Sequence, residues 1–283
     1  MIEELEDIII ENIRQIPEKP LSLLLSGGID SSLVLALIRK IRSDVPIHTF
    51  TLAKSKEFPD IIFAREVAGL FGTEHHEIIL SDEEYQNFEI DFSQINLYGL
   101  KGDMNAFVLC SIAKKYSNII VTGDGGDECF GGYWLHEFPL GHKETGGIKS
   151  FDEIHPEPRK HIEEMVSLGF RDSLFKEKSI PSDFKEVWDY FVKRLAPKHL
   201  APLLNTTEAL DIEVFTPLWS ESLLDFLRQL PYSDKIGRKI EKELAKKYLP
   251  ESVIVRESTG FDVALETYSS LNQSLESGKS CKL

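Results

Sequence analysis

Cysteine is scarce in this chain: Cys110, Cys129 and Cys281 are the only three, an odd number without CxxC spacing. That pattern indicates neither a disulfide framework nor a zinc knuckle and leaves buried or incidental thiols. Long apolar runs are also missing, since a stretch such as Leu33 to Ile38 falls far short of the roughly 20 residues that a membrane span needs. Positive charge is in deficit: 32 Lys and Arg face 47 Asp and Glu, the net charge is -15, and no dense basic run compensates. Binding along a nucleic-acid backbone is therefore disfavoured. The N-terminus, MIEELEDIIIENI, lacks the positive charge that precedes the apolar core of a secretory signal and reads as an acidic amphipathic helix. These absences predict a cytoplasmic protein with no membrane and no nucleic-acid partner. The 283 residues, 42% of them apolar, suffice for one large core or two modest ones.

What is present is a regular alternation of short β-rich runs with segments of helical apolar spacing, from residue 21 to about residue 133. The run LSLLL leads through SGGID into a helix with Val34, Leu37, Ile38 and Ile41 on one face, and IHTFTL forms the next strand. Ala64, Val67, Ala68 and Phe71 stripe a second helix, and HHEIIL returns as a strand after Gly72. Leu109, Ile112, Ala113 and Tyr116 mark a third helix before the buried strand NIIVT. Successive βαβ units predict an α/β fold, a parallel sheet with helices on both faces. Beyond Tyr133 regular strand runs disappear. Gly141 to Pro158 is rich in Gly, Pro, His and charge, which places a boundary between an α/β domain with its N-terminal helix, residues 1–140, and a mainly helical part, residues 141–283.

The strongest chemical signal is Ser26-Gly27-Gly28-Ile29-Asp30-Ser31-Ser32, between a buried strand and the first turn of a helix. Two glycines let backbone N–H groups turn toward an anion, and a helix N-terminus adds favourable partial charge. The hydroxyls of Ser26, Ser31 and Ser32 can donate to the same phosphate oxygens. The loop is shorter than a Walker loop and lacks its lysine. An aspartate inside an anion site repels phosphate unless a cation lies between, so Asp30 implies Mg2+ as the bridge. The plainer alternative is a tight turn with an aspartate cap.

The stretch SGGIDSS resembles the PP-loop of the ATP pyrophosphatases, which cleave ATP between its α- and β-phosphates. A second run, Thr122-Gly123-Asp124-Gly125-Gly126-Asp127-Glu128-Cys129-Phe130-Gly131-Gly132-Tyr133, is similar to the acidic glycine-rich signature of the asparagine synthetase family, in its synthetase domain. Phe58-Pro59-Asp60 before Ala64 to Ala68, the run Gly72 to Glu77, and Lys235 through Leu249-Pro250 agree with that family over most of residues 20 to 261. The resemblance implies ATP and Mg2+ as cofactors and an ATP-dependent carbon–nitrogen ligase. A carboxylate, aspartate or a related amino acid, would form an acyl-adenylate with release of pyrophosphate, and ammonia or an amine would then displace AMP. It implies Asp30 and Asp127 on the metal, and Leu24, Leu52, Thr122 and Gly123 around the nucleotide with the Ser-Gly-Gly loop. Asp124 takes the place of the acidic residue that assists amine attack, one methylene shorter than the commoner Glu. Arg238, in the cationic run Lys235, Arg238, Lys239 and Lys242, is the candidate to approach phosphate, although such a run is more often a solvated helix face.

No stretch here resembles a glutaminase with an N-terminal Cys nucleophile, so the expected partners are a small-molecule carboxylate and ammonia or an amine, with a separate glutaminase subunit or a homodimer also admitted. Three segments depart from the family. Ser258 stands in Arg256-Glu257-Ser258-Thr259-Gly260-Phe261 where the family has a lysine on the reacting phosphate, leaving Arg256 or a lysine from elsewhere to substitute. Phe215 and Ser220 stand where an Arg and an Asp are common, and Gly99 to Asn105 lacks the usual substrate-binding pattern. These departures keep two alternatives in play: a PP-loop nucleotide-modifying enzyme, and a degenerate ATP-binding regulatory subunit. The adjacent His75 and His76 point to opposite faces of a strand and cannot both ligate one metal simply, so they are taken as structural.

Overall fold

The computed structural model describes residues 1–81, 84, 102–133, 136 and 185–256. Helix α1, Ile2–Arg14, buries Leu5, Ile9, Ile10 and Ile13 along one stripe and carries Glu3 and Glu4 in its first turn and Arg14 in its last, which suits the helix dipole. Strand β1, Leu21–Leu24, runs through the Ser-Gly-Gly loop into α2, Ile29–Ile41. Strand β2, Ile47–Ala53, is followed by α3, Pro59–Phe71, which starts on a proline and stops at Gly72 in the left-handed region (φ 59°). Strand β3 is Glu74–Ile79, α4 is Gly102–Ala113, β4 is Ile119–Val121 and α5 is Gly126–Phe130.

The later half contributes α6, Lys185–Tyr190, a π-helical turn, Phe191–Leu195, and α7, Ala196–Ala209. Then come β5, Glu213–Phe215, α8, Glu221–Gln229, α9, Tyr232–Lys235, a 3-10 turn, Ile236–Arg238, α10, Lys239–Ala245, and α11, Glu251–Ile254.

All strand pairs are parallel and the sheet order is β3-β2-β1-β4-β5. Alternating side chains sort onto two faces. Leu21, Leu23, Ile119 and Val121 join α1, α2, α8 and α10 in one core, whereas Phe50, Leu52 and Ile120 join α4 and α7 in the other, with Leu24 packed against them. Wholly burying residues such as Leu5, Ile9 and Ile13 is worth roughly 1.5–3 kcal/mol each.

Three details correct the sequence reading. Strands do not stop at Tyr133, because β5 extends the sheet: Glu213 N donates to Asn118 O at 2.9 Å and Thr122 N to Phe215 O at 3.0 Å. Helix α2 has no single apolar stripe, since Leu33 to Ile38 are all buried between the sheet and neighbouring helices. Tyr116 lies past the end of α4, half-exposed. The boundary expected between residues 140 and 141, and the stretch Gly141 to Pro158 that suggests it, lie outside the described residues.

Candidate active site

Strand order reverses between β1 and β4, since the chain from β1 proceeds outward to β2 and β3 and returns to β4 on the other side. In open α/β sheets the crevice at the carboxyl ends of the strands flanking such a switch point receives ligands. The two glycine-rich loops emerge at that point, and their contact is close enough to forbid a side chain. A Cβ on Gly123 would run into the backbone of Asp30 and Ser31, and one on Gly126 into the Asp30 carboxylate. Loop and loop are thus one surface.

Four charged side chains meet there from three segments. Asp30 sits in the first turn of α2 and Asp127 in that of α5, and the Arg238 guanidinium forms ion pairs with both, through Nη1 and Nη2 respectively. Glu241, one turn along α10, is fully buried with its Oε2 3.6 Å from Arg238 Nη1. Arg238 is itself 7% exposed and adopts a left-handed backbone, φ 61°, directly after Gly237 at φ 64°. The turn is held by Gly237 N donating to Gly131 O at 3.0 Å. A non-glycine residue in that region is strained, and strain of this kind collects at functional sites.

The charges do not cancel: Asp30, Asp127 and Glu241 against Arg238 leave two negative charges if all are ionised. Burial, then the nearby Asp30 carboxylate, pushes Asp127 well above the ordinary carboxylate range despite Arg238. Burial, then Asp30, raises Glu241 further. With every acid ionised, Asp30 Oδ1 and both Glu241 oxygens are buried without hydrogen-bond partners among the described residues, a shortfall that a proton shared between Asp30 and Glu241 or a bound cation would relieve. Hard oxygens, buried and in charge surplus by two, suit a hydrated divalent ion such as Mg2+. Arg238 stays protonated, because the acids around it outweigh the burial that works against its charge.

The remaining residues singled out from sequence line the same crevice unevenly. Asp124 opens to solvent on one side, while the protein packed around its other sides, with Glu128 and Asp30 adding repulsion, lifts its carboxyl to about 6; water on the open side limits that shift. Ser26 and Ser31 face each other across the loop, Oγ to Oγ 3.2 Å, and Gly28 N donates to Ser26 Oγ at 3.2 Å. Ser32 is buried, and its hydroxyl has no hydrogen-bond partner among the described residues. Leu24 and Leu52 stand on one sheet face beside the crevice, Leu24 half-buried. The Thr122 N–H is committed to Phe215, and its Oγ1 accepts from Asp124 N at 3.1 Å. Gly27 turns at φ 69° against Phe63 and Ala64.

Glu241 was not singled out from sequence; an acid three residues past an arginine on a helix looks like a surface pair, and only its burial reveals it. The cationic run is a solvated face only in part: Lys239 is exposed and Lys242 half-buried, whereas Lys235 and Arg238 are buried. Lys235 is 1% exposed, donates to Leu227 O at 2.8 Å and Leu230 O at 3.0 Å, and lies over the Trp188 ring. Arg256 braces the Ser-Gly-Gly loop from behind, donating to Ser26 O at 2.9 Å and pairing with buried Asp60. Ser220 caps α8, accepting from Leu223 N at 3.2 Å and from Asn12 Nδ2 at 2.8 Å. Phe215 is in β5. Ser258 and Gly99 to Lys101 lie outside the described residues. Among the described residues no helix is long and apolar enough to cross a membrane.

Residues 11–277 match the family model described as asparagine synthase. The glutamine-hydrolysing asparagine synthetase 1 of Bacillus subtilis is 27% identical over 220 residues, 72% of this chain and 33% of that one. The glutamine-hydrolysing asparagine synthetase of Gallus gallus is 31% identical over 137 residues, 44% of this chain and 24% of that one. The chain thus spans a third or less of the length of the curated relatives it matches. Among solved structures, an NH3-dependent NAD synthetase from Campylobacter jejuni aligns over 88% of this chain and 96% of its own, at 18% identity and a TM-score of 0.34. With two glycine-rich acidic loops meeting at the switch point of a parallel sheet, and a family match that runs through both, the chain belongs to the asparagine synthase family.

Proposed function

We propose that this chain binds ATP and Mg2+ in the crevice between β1 and β4 and activates a carboxylate for amide formation. The observation that carries the reading is the buried carboxylate cluster of Asp30, Asp127 and Glu241, whose charge Arg238 only partly offsets. Asp30 and Asp127 would hold the metal, with Glu241 behind them. Mg2+ bound there supplies charge compensation for the departing pyrophosphate. The Ser-Gly-Gly loop and the N-terminus of α2 cradle phosphate, and Leu24 and Leu52 offer an apolar wall to the adenine. The substrate carboxylate, an amino acid such as aspartate, attacks the α-phosphorus; the bond to pyrophosphate breaks and acyl-AMP forms. Ammonia or an amine then attacks the acyl carbon and AMP leaves. Asp124, ionised at neutral pH and basic for an aspartate, would take the proton the amine gives up.

The test is exchange of labelled pyrophosphate into ATP. Exchange is expected only with Mg2+ and an acceptor carboxylate, screened across amino acids, and Asp30→Ala or Asp127→Ala should abolish it. Exchange that survives in both variants would overturn the assignment. One observation favours a second reading, a regulatory subunit that binds ATP without turning it over: Arg238 already bridges both aspartates. In that case ATP would bind with no exchange under any acceptor.

A further inference from the structure

On the far edge of the sheet, three metal-ligating side chains converge outside the crevice. In the parallel register of β2 and β3, His48 pairs with Glu74 and Phe50 with His76, so His48, Glu74 and His76 share one face while His75 points to the other, bonded to Thr49 Oγ1 at 2.9 Å. His48 Nδ1 lies 3.2 Å from His76 Nε2 and 3.5 Å from Glu74 Oε2, and His76 Nε2 lies 3.7 Å from Glu74 Oε1. A hydrogen bond between the two imidazoles accounts for their own approach, and the two contacts to Glu74 are ion pairs only where an imidazole is protonated. A tetrahedral zinc with bonds of roughly 2.0–2.1 Å sets its ligands about 3.3 Å apart, close to the separation of the two imidazole nitrogens, and one ligand atom from each of the three residues lies within 4.8 Å of the others.

The surroundings hold the rings in that pose. His76 stacks on Phe50 at 4.7 Å between centroids, and Tyr116 packs over His76 at 4.4 Å and His48 at 4.9 Å. The two imidazoles are mostly buried, with side chains 20% and 19% exposed, whereas Glu74 is 66% exposed and leaves a route for an ion and water. Two imidazoles and one carboxylate favour a borderline transition ion over Mg2+, which prefers oxygen ligands. His48 lies four residues before Leu52 along β2, about 13 Å at the usual rise, so the triad is distinct from the crevice at the carboxyl ends.

We infer that His48, Glu74 and His76 form a divalent transition-metal site of the zinc class, with water completing the coordination, that staples edge strand β3 to β2. An edge strand has a free row of backbone groups, and a metal linking it to its inner neighbour opposes fraying there. Metal bound only by the folded chain stabilises it by mass action.

The experiment uses the untagged full chain with excess Mg2+ present to occupy hard-oxygen sites. Co2+ is titrated with its visible absorption as readout, bound Zn2+ is counted by elemental analysis after dialysis, and the thermal midpoint is followed with and without Zn2+. Wild type should take up one equivalent, show nitrogen-ligated Co2+ bands and gain thermal stability. The double variant His48→Gln/His76→Gln should lose all three responses. Glu74→Gln should weaken binding at least as much as the roughly 10–100-fold that loss of an outer-shell partner costs. Uptake by wild type no greater than by the double variant overturns the proposal. Should the double variant not fold, Glu74→Gln decides alone, and unchanged Co2+ affinity there overturns it equally.

Discussion

Replacing Arg238 by alanine removes the guanidinium that ties together Asp30, Asp127 and Glu241, leaving three carboxylates crowded in a buried site. Deleting one partner of a buried ion pair costs about 3–5 kcal/mol, which in a chain of this size lowers the thermal midpoint by roughly 6–20 °C. The backbone at this position supplies an internal control. Its φ of 61° costs a non-glycine residue about 1–2 kcal/mol, and glycine returns roughly 0.5–1 kcal/mol of that through unfolded-state freedom. Arg238→Gly loses the same ion pairs as Arg238→Ala and should be at least as stable, by up to about 1.5 kcal/mol. Mg2+ should then stabilise both variants more than wild type, because the unbalanced charge it offsets is larger; at 100 times its Kd a ligand adds about 2.7 kcal/mol. The assay is urea or thermal denaturation of the three proteins across a Mg2+ series. An alanine variant within about 1 kcal/mol of wild type, or a glycine variant less stable than alanine, would refute the reasoning.

A methyl group at Gly126 would overlap the Asp30 carboxylate, so Gly126→Ala should abolish pyrophosphate exchange by parting the two loops; nucleotide-binding titration beside the exchange assay checks it, and full activity would contradict the packing. Without Mg2+, the raised Asp127 and Glu241 acids mean that the folded state binds more protons than the unfolded one. Stability from this cluster is therefore present below the unfolded carboxylate range and lost as pH rises through the raised values; saturating Mg2+ should flatten that slope in denaturation curves. Glu6 behaves oppositely: burial alone would raise it, but Lys247, Lys40 and Tyr248 hold it down at about 2, so its stabilisation is present above about pH 4.5 and disappears as pH falls toward 2. Glu6→Gln should remove that part of the acid transition, measured by circular dichroism against pH.

Local chemistry was readable from the sequence where glycine and position coincide. The runs around Gly27 and Gly125 announce turns after buried strands because few residues other than glycine tolerate such backbone and such close approach. Strand β5 escaped notice because Glu213, Val214 and Phe215 are too few to display a two-residue period. The roles of Glu241 and Lys235 depend on burial that helix spacing cannot report, since both look like members of a charged face until α8 and α10 pack. The His48, Glu74 and His76 triangle was hidden for a different reason: sequence reveals the neighbours His75 and His76, but the true partner of His76 is fixed by strand register. Short-range signals are legible one residue at a time; cross-strand and cross-helix partners are not.

The ion pairs at the crevice join residues 208 and 111 positions apart, so Asp30, Asp127 and Arg238 come together only when the first loop, the fourth-strand loop and the turn before α10 are all docked. Their mutual repulsion makes that docked arrangement weakest where all acids are ionised, and a divalent cation removes the penalty only while the three segments are in place. Were a metal–nucleotide to bind there as proposed, its binding and the docking of these three segments would form a single linked equilibrium. The strained backbone at Arg238 belongs to the same balance: its left-handed turn is tolerated because the carboxylates on either side hold the guanidinium there. On the proposed reading, a cation that drew those carboxylates to itself would loosen the grip on Arg238 and free its guanidinium for an incoming phosphate, giving one side chain a structural task in the protein alone and a second one beside the nucleotide.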